Sequence, residues 1–167
     1  MADNFALKSV QVSLSPQQRF DEYLQSRGKR CTGPRRILVD HISSNHEHFD
    51  AETLIEQLPG KNNTGYVSRA TIFRTLHELV EAGLLRKLDL GGRTVFEFDY
   101  GYPQHDHLHC TKCDRLLEFQ SDELRKLRDV VAREHKFRVT GHRFIISGVC
   151  DVCAKASRRR RRPVDLI

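Results

Sequence analysis

The sequence predicts an α+β chain in which a winged helix-turn-helix precedes a small α/β domain stapled by a four-cysteine zinc site. Three observations predict it. Three or four short amphipathic helices run up to Gly83 and are followed by a hairpin pattern. A Gly and Pro break, Asp99-Tyr-Gly-Tyr-Pro-Gln104, interrupts the strand pattern. Two CxxC pairs, Cys110-Thr-Lys-Cys113 and Cys150-Asp-Val-Cys153, lie in the second half. The expected organisation is a flexible N-terminus over 1–14, a DNA-binding domain over 15–99, a metal-binding dimerisation domain over 100–156, and a basic tail over 157–167.

Ser15-Pro16 opens the first helix, with Ser as N-cap, Phe20 and Leu24 inward and Gly28 as the stop. Thr32 caps a second helix with Ile37, Leu38 and Ile42 inward. Asp50 caps a third, which Pro59 ends. Ser68 starts a fourth, in which Ile72, Leu76, Leu79 and Val80 recur at helical spacing. Leu84 to Asp89, Gly91-Gly92 and Thr94 to Phe98 read as a hairpin. In this order of elements the fourth helix is the one that enters a DNA major groove, and the hairpin is the wing. Its outward face is expected to carry Arg69, Thr71, Arg74, Thr75 and Glu78. The cluster Arg27, Lys29, Arg30, Arg35 and Arg36 is expected to hold the DNA backbone. In the second half the pattern predicts strands near Leu108 and over 116–119, a helix over 121–135, and strands over 137–139 and 142–149.

Composition excludes several classes. The chain has 167 residues, 28 Lys plus Arg and 22 Asp plus Glu, for a formal charge of +6. Most of that excess sits in Lys155 and the run Arg158 to Arg162, so the body is nearly neutral and its function must be read from local clusters. No window approaches 18 consecutive apolar residues, and the N-terminus has no secretory pattern, so a cytoplasmic chain with no membrane partner is expected. In a reducing compartment, paired CxxC motifs read as four thiolates converging on Zn²⁺ rather than as disulfides. Asp114 follows the second Cys where a left-handed turn favours Gly. Cys31 is left as a small buried residue.

His105, His107 and His109 alternate just before the first CxxC and share one side of an extended strand. With Glu97, Glu118, His46 and His48 they supply an N/O ligand set suited to Fe²⁺, Mn²⁺, Co²⁺ or Zn²⁺. Spacing alone leaves open which of them converge.

These stretches resemble the ferric uptake regulator family. The likeness runs from Gly28 to Lys155 through Gly28-Lys-Arg-Cys-Thr-Gly-Pro-Arg35, Ser68-Arg-Ala-Thr-Ile-Phe-Arg-Thr-Leu76, Gly92-Arg-Thr-Val-Phe-Glu97, His105-Asp-His-Leu-His-Cys-Thr-Lys-Cys113 and Gly148-Val-Cys-Asp-Val-Cys153. The resemblance implies that Cys110, Cys113, Cys150 and Cys153 hold structural zinc. It implies that His48, Glu97, His105, His107 and Glu118 form a sensory metal site. Arg30 then falls at a minor-groove contact, and Phe73 and Arg74 fall on the recognition helix beside Arg69 and Thr71. The implied activity is that of a homodimeric repressor of metal-uptake genes, which binds an AT-rich inverted repeat of double-stranded DNA when loaded with Fe²⁺.

Some positions depart from the family pattern. Phe73 stands where many members have Tyr. A third site of some members keeps Asp106 and His142 here, while Gln104 and Arg125 replace its other two ligands. Glu118 stands where the peroxide-sensing branch has Asp. The alternatives weighed are a zinc- or manganese-sensing regulator of the same family and, more remotely, a zinc-ribbon module binding RNA or protein, or a metallohydrolase. No catalytic motif such as HExxH accompanies the histidines, so neither an enzyme nor a small-molecule substrate is expected.

Overall fold

The structure, a computed structural model, describes residues 11–45 and 47–160, apart from the side chains of 158–160. His46, Arg161, Arg162 and the expected flexible segment up to residue 10 lie outside the described residues. The chain forms two compact units that divide between Pro103 and Gln104, inside the Gly and Pro break.

The first unit contains α1 (Pro16–Ser26), α2 (Gly33–Ser43), α3 (Ala51–Gln57), α4 (Arg69–Glu81), β1 (Leu85–Asp89) and β2 (Thr94–Phe98). The helices begin where the caps predict. Ser15 and Gln18 close a capping box on α1, and Asp50 and Ser68 accept from Thr53 N–H and Thr71 N–H. Each bond satisfies an amide that the helix itself leaves unpaired. Thr32 caps α2 by position only, without a side-chain bond. Gly28, at φ 68°, turns the chain after α1 in a conformation that costs a side chain. Phe20, Leu24, Leu38, Leu54, Ile72, Leu79 and Leu84 are all but fully buried and form one core.

β1 and β2 are antiparallel, with Arg86 opposite Glu97 and Leu88 opposite Val95. Phe49 bridges to Phe96 through two backbone hydrogen bonds of 2.7 and 3.0 Å, with their rings stacked 5.9 Å apart. Arg93 at the wing turn reaches Asp50 Oδ2 at 2.6 Å. The wing is thereby fastened to the start of α3.

The second unit contains β3 (Asp106–Cys110), β4 (Leu116–Phe119), α5 (Asp122–Glu134), β5 (Ile145–Gly148) and α6 (Asp151–Arg160). Its sheet order is β4-β3-β5, antiparallel on one side of β3 and parallel on the other. Two expectations are corrected here. Residues 137–139 form no strand: Lys136 takes φ 52°, and Phe137 N–H returns to Ala132 C=O at 2.7 Å, so the chain is spent closing α5. The last strand is limited to the four residues that find partners on β3. The tail boundary also moves, because α6 continues through Arg160, with Asp151 in its first turn and an i,i+4 Lys155–Asp151 pair at 2.6 Å.

Asp50 supplies a pH test of the wing anchor. The Thr53 amide first, then Arg93, holds its carboxyl at about 2, below the usual 3.8. A depressed carboxyl stabilises the fold above the unfolded value near 4 and loses that contribution as pH falls from about 4 to 2. Asp50→Asn preserves the cap and removes the titrating charge. Urea unfolding at pH 5 and pH 2.5 should show the variant losing less stability on acidification than the wild type. After solvent screening the expected difference is about 1 kcal/mol, and equal losses would discount the anchor.

Candidate metal centres and nucleic-acid surface

The four cysteines come from the β3–β4 turn and from the β5–α6 junction. Their sulfurs all lie within 4.8 Å of one another. The Cys113 and Cys150 sulfurs are 3.8 Å apart, the edge of about 3.8 Å expected for a tetrahedron with Zn–S bonds near 2.3 Å. Asp114 takes the left-handed turn at φ 55° that the position demands, and its carboxylate lies 3.3 Å from His109 Nε2. The Cys110 thiol is pulled down to about 6 by the N–H groups of Cys150 and Lys112. The neighbouring thiols of Cys113 and Cys150 push Cys153 up to about 12. Thiols that raise one another in this way are relieved by a shared cation, so the donor set fits Zn²⁺.

The N/O residues form a pair in each unit. In the first, His48 Nε2 is 3.0 Å from Glu97 Oε2, and the two residues are 49 positions apart in sequence. In the second, His107 and Glu118 are directly opposed on β3 and β4, so their side chains share a face of the sheet. The His105 ring lies 5.0 Å from that of His107, and both residues are buried. Each pair is an imidazole beside a carboxylate, a ligand chemistry suited to a divalent transition metal.

Asp106 and His142 also meet, with His142 Nε2 3.3 Å from Asp106 Oδ2. The other ring nitrogen of His142 lies 3.0 Å from Arg128 Nη1. A guanidinium only donates, so Arg128 occupies the lone pair that a metal would need. Gln104 Nε2 donates to His142 C=O at 3.2 Å, and Arg125 pairs with Asp122.

On α4, Phe73 and Arg74 are exposed, and Arg69 forms an exposed pair with Glu52. The Thr71 hydroxyl is 2.9 Å from Ser68 Oγ at the cap. Thr75 and Glu78, expected on the outward face, are buried instead. For Glu78 the reason is a charge clamp missed in the pattern. Glu78 receives Arg35 Nη2 on both oxygens, at 2.8 and 2.9 Å, and Lys29 Nζ at 2.8 Å. Two members of the expected DNA-backbone cluster are therefore committed to α4. Arg35 Nη1 also holds the Arg30 carbonyl at 2.9 Å while the Arg30 side chain stays exposed.

A winged helix followed by a small α/β unit with a four-thiol centre defines a metal-binding transcription regulator. The ferric uptake regulator family profile matches residues 26–147, and the chain belongs to that family. It is 33% identical over 138 residues to the ferric uptake regulation protein of Neisseria meningitidis, across 81% of this chain and 94% of that protein. The crystal structure of the Vibrio cholerae ferric uptake regulator is similar at a TM-score of 0.63 and 28% identity, covering 78% of this chain and 98% of that one. A zinc-bound manganese uptake regulator gives a TM-score of 0.55 at 31% identity, covering 79% and 98%.

The thiol centre can be tested directly. Cys113→Ser should release zinc to a chelator concentration that leaves the wild type loaded, with loss of helical circular dichroism. Because four thiols must deprotonate to bind, the wild type should also shed zinc as pH falls. Retention of zinc by the variant under chelator would remove Cys113 from the ligand set.

Proposed function

We propose that this regulator is a homodimeric, metal-dependent repressor that senses Fe²⁺ and binds an AT-rich inverted repeat. The observation that carries the reading is the duplicated donor chemistry, His48 with Glu97 in the winged helix and His107 with Glu118 in the second unit. A metal taking ligands from both pairs, with His105, ties its own binding to the arrangement of the DNA-binding units, which makes it a conformational switch. Bound there, a divalent ion supplies charge neutralisation and a fixed coordination geometry. The protein's own groups supply the rest. Phe73 offers apolar contact to a thymine methyl, Arg74 and Arg69 suit guanine edges or phosphate, and Arg30 suits a minor groove.

The second unit supports dimerisation. No residue of α5 is buried, and Leu127, Val130 and Val131 stand exposed along it. Leu108, Leu117 and Ile146, in register across β4-β3-β5, are also exposed. An apolar helix and sheet face of this extent marks a protein contact, and a symmetric copy would place two recognition helices on two half-sites. A cytoplasmic location accords with binding chromosomal DNA. Among the described residues no helix is long and apolar enough to cross a membrane.

Iron is favoured by the ferric uptake relatives and by Arg74 after Phe73, while Glu118 argues against the peroxide-sensing branch. The similarity to a manganese uptake regulator keeps manganese and zinc as the second reading. Anaerobic titration of DNA binding with Fe²⁺, Mn²⁺ and Zn²⁺ decides between them, and Fe²⁺ is expected to act at the lowest free concentration. Replacing His105 and His107 together by Ala should abolish the metal response, a loss of at least about tenfold in operator affinity, while the thiol centre keeps its zinc. A response that survives both substitutions would refute the sensory assignment.

A further inference from the structure

The wing carries a cation that bears directly on the sensory carboxylate. Arg86 on β1 faces Glu97 on β2. Its Nε lies 3.2 Å from Glu97 Oε1, and its Nη2 lies 2.8 Å from Asp99 Oδ1. The Arg86 side chain is 14% exposed and that of Glu97 is 4% exposed, so solvent screens this contact little. His48 lies at the second oxygen, Oε2. Glu97 is thus shared, with a permanent cation at one oxygen and a neutral-capable metal ligand at the other. A guanidinium does not lose its proton in a protein, so its charge persists at every physiological pH.

We infer that Arg86 is a built-in competitor of the sensory metal, and that the Arg86–Asp99 pair sets how strongly it competes. The inference rests on Glu97 being a metal ligand, as proposed above. A divalent ion arriving at Glu97 meets a like charge already in contact with that carboxylate, which lowers the affinity of the site. Asp99 draws the guanidinium partly toward itself and so moderates the effect. Occupancy of the sensory site then follows changes in metal supply instead of saturating at trace levels. A purely orienting Arg would act in the opposite sense, because its loss would disorder Glu97 and weaken binding. The sign of the change therefore separates competition from support.

The test uses the full-length zinc-loaded protein and Co²⁺ as the probe, read by its d–d absorption at an N/O site. Arg86→Gln should tighten Co²⁺ binding about 10- to 100-fold, equal in size and opposite in sign to the loss that removing a supporting partner of a ligand causes. Arg86→Lys keeps the charge and should stay within a few-fold of the wild type. Arg86→Met, which removes the charge and keeps the aliphatic stem, should tighten binding as well and keeps the test decisive if Arg86→Gln unfolds. Asp99→Asn removes a pair that draws Arg86 aside and should weaken binding. Unchanged or weaker binding in a folded Arg86→Gln, or tighter binding in Asp99→Asn, overturns the competitor role. Glu97→Gln is the control for the underlying reading and should remove the N/O cobalt spectrum. If that spectrum persists in Glu97→Gln, the ligand assignment falls and the competitor role falls with it. If it is lost while Arg86→Gln binds as the wild type does, only the competitor role fails.

Discussion

The second unit is held by four thiols because it has almost no apolar core to hold it. Among the described residues, every buried hydrophobic except Cys110 lies before Gln104. The other buried residues of the second unit are His105, Asp106, His107 and His109. A small domain that cannot bury enough apolar surface needs a cross-link, and a metal shared by two CxxC pairs is one. Here the cross-link joins the β3–β4 turn to the β5–α6 junction, so it fixes both long edges of β3. The strand that carries His107 and the partner strand that carries Glu118 take their register from the same ribbon. The proposed sensor is therefore built on a scaffold whose own order depends on a first metal.

The winged helix solves the opposite problem. Its core is apolar and continuous, and its charges are used to aim elements. Glu78 sits inside that core and is offset by Arg35 and Lys29, which ties α4 to the segment that presents Arg30. Removing one partner of such a buried cluster would leave an uncompensated charge, which is far costlier than losing an exposed pair. The Phe49–Phe96 bridge and the Arg93–Asp50 pair fasten the wing next to His48. His48, a proposed sensory ligand, thus lies in the same short stretch that anchors the wing, so metal chemistry there would act on a residue adjacent to that anchor.

Much of this was legible because it is local. Ser15, Asp50 and Ser68 announce helix starts through bonds made within three residues, and Gly28 announces a stop through its own backbone. The thiol centre was legible because CxxC spacing restricts where two sulfurs can point. What was not legible depends on partners distant in sequence. Glu78 reads as a solvated position on a helical wheel until Arg35, 43 residues away, is seen to reach it. Residues 137–139 have strand-forming side chains, but the left-handed turn at Lys136 and the Phe137 N–H bond to the Ala132 carbonyl commit the chain to closing α5. The His48–Glu97 pair came from the family resemblance, since nothing in spacing alone joins residues 49 apart. Arg86 was the nearest to being readable, because a hairpin centred on Gly91-Gly92 places it opposite Glu97. The +6 charge proved a poor guide, since its largest block is the arginine run and the arginines proposed to face DNA are few.

In the proposed function one metal and one DNA duplex bias the same conformational equilibrium. If so, their affinities are linked reciprocally. The direct measurement is the affinity of the zinc-loaded protein for its sensory metal, with and without saturating operator duplex. The duplex should tighten metal binding by the same factor by which metal tightens duplex binding, on the order of 10- to 100-fold. A metal affinity indifferent to the duplex, in a protein whose duplex binding requires metal, would contradict it.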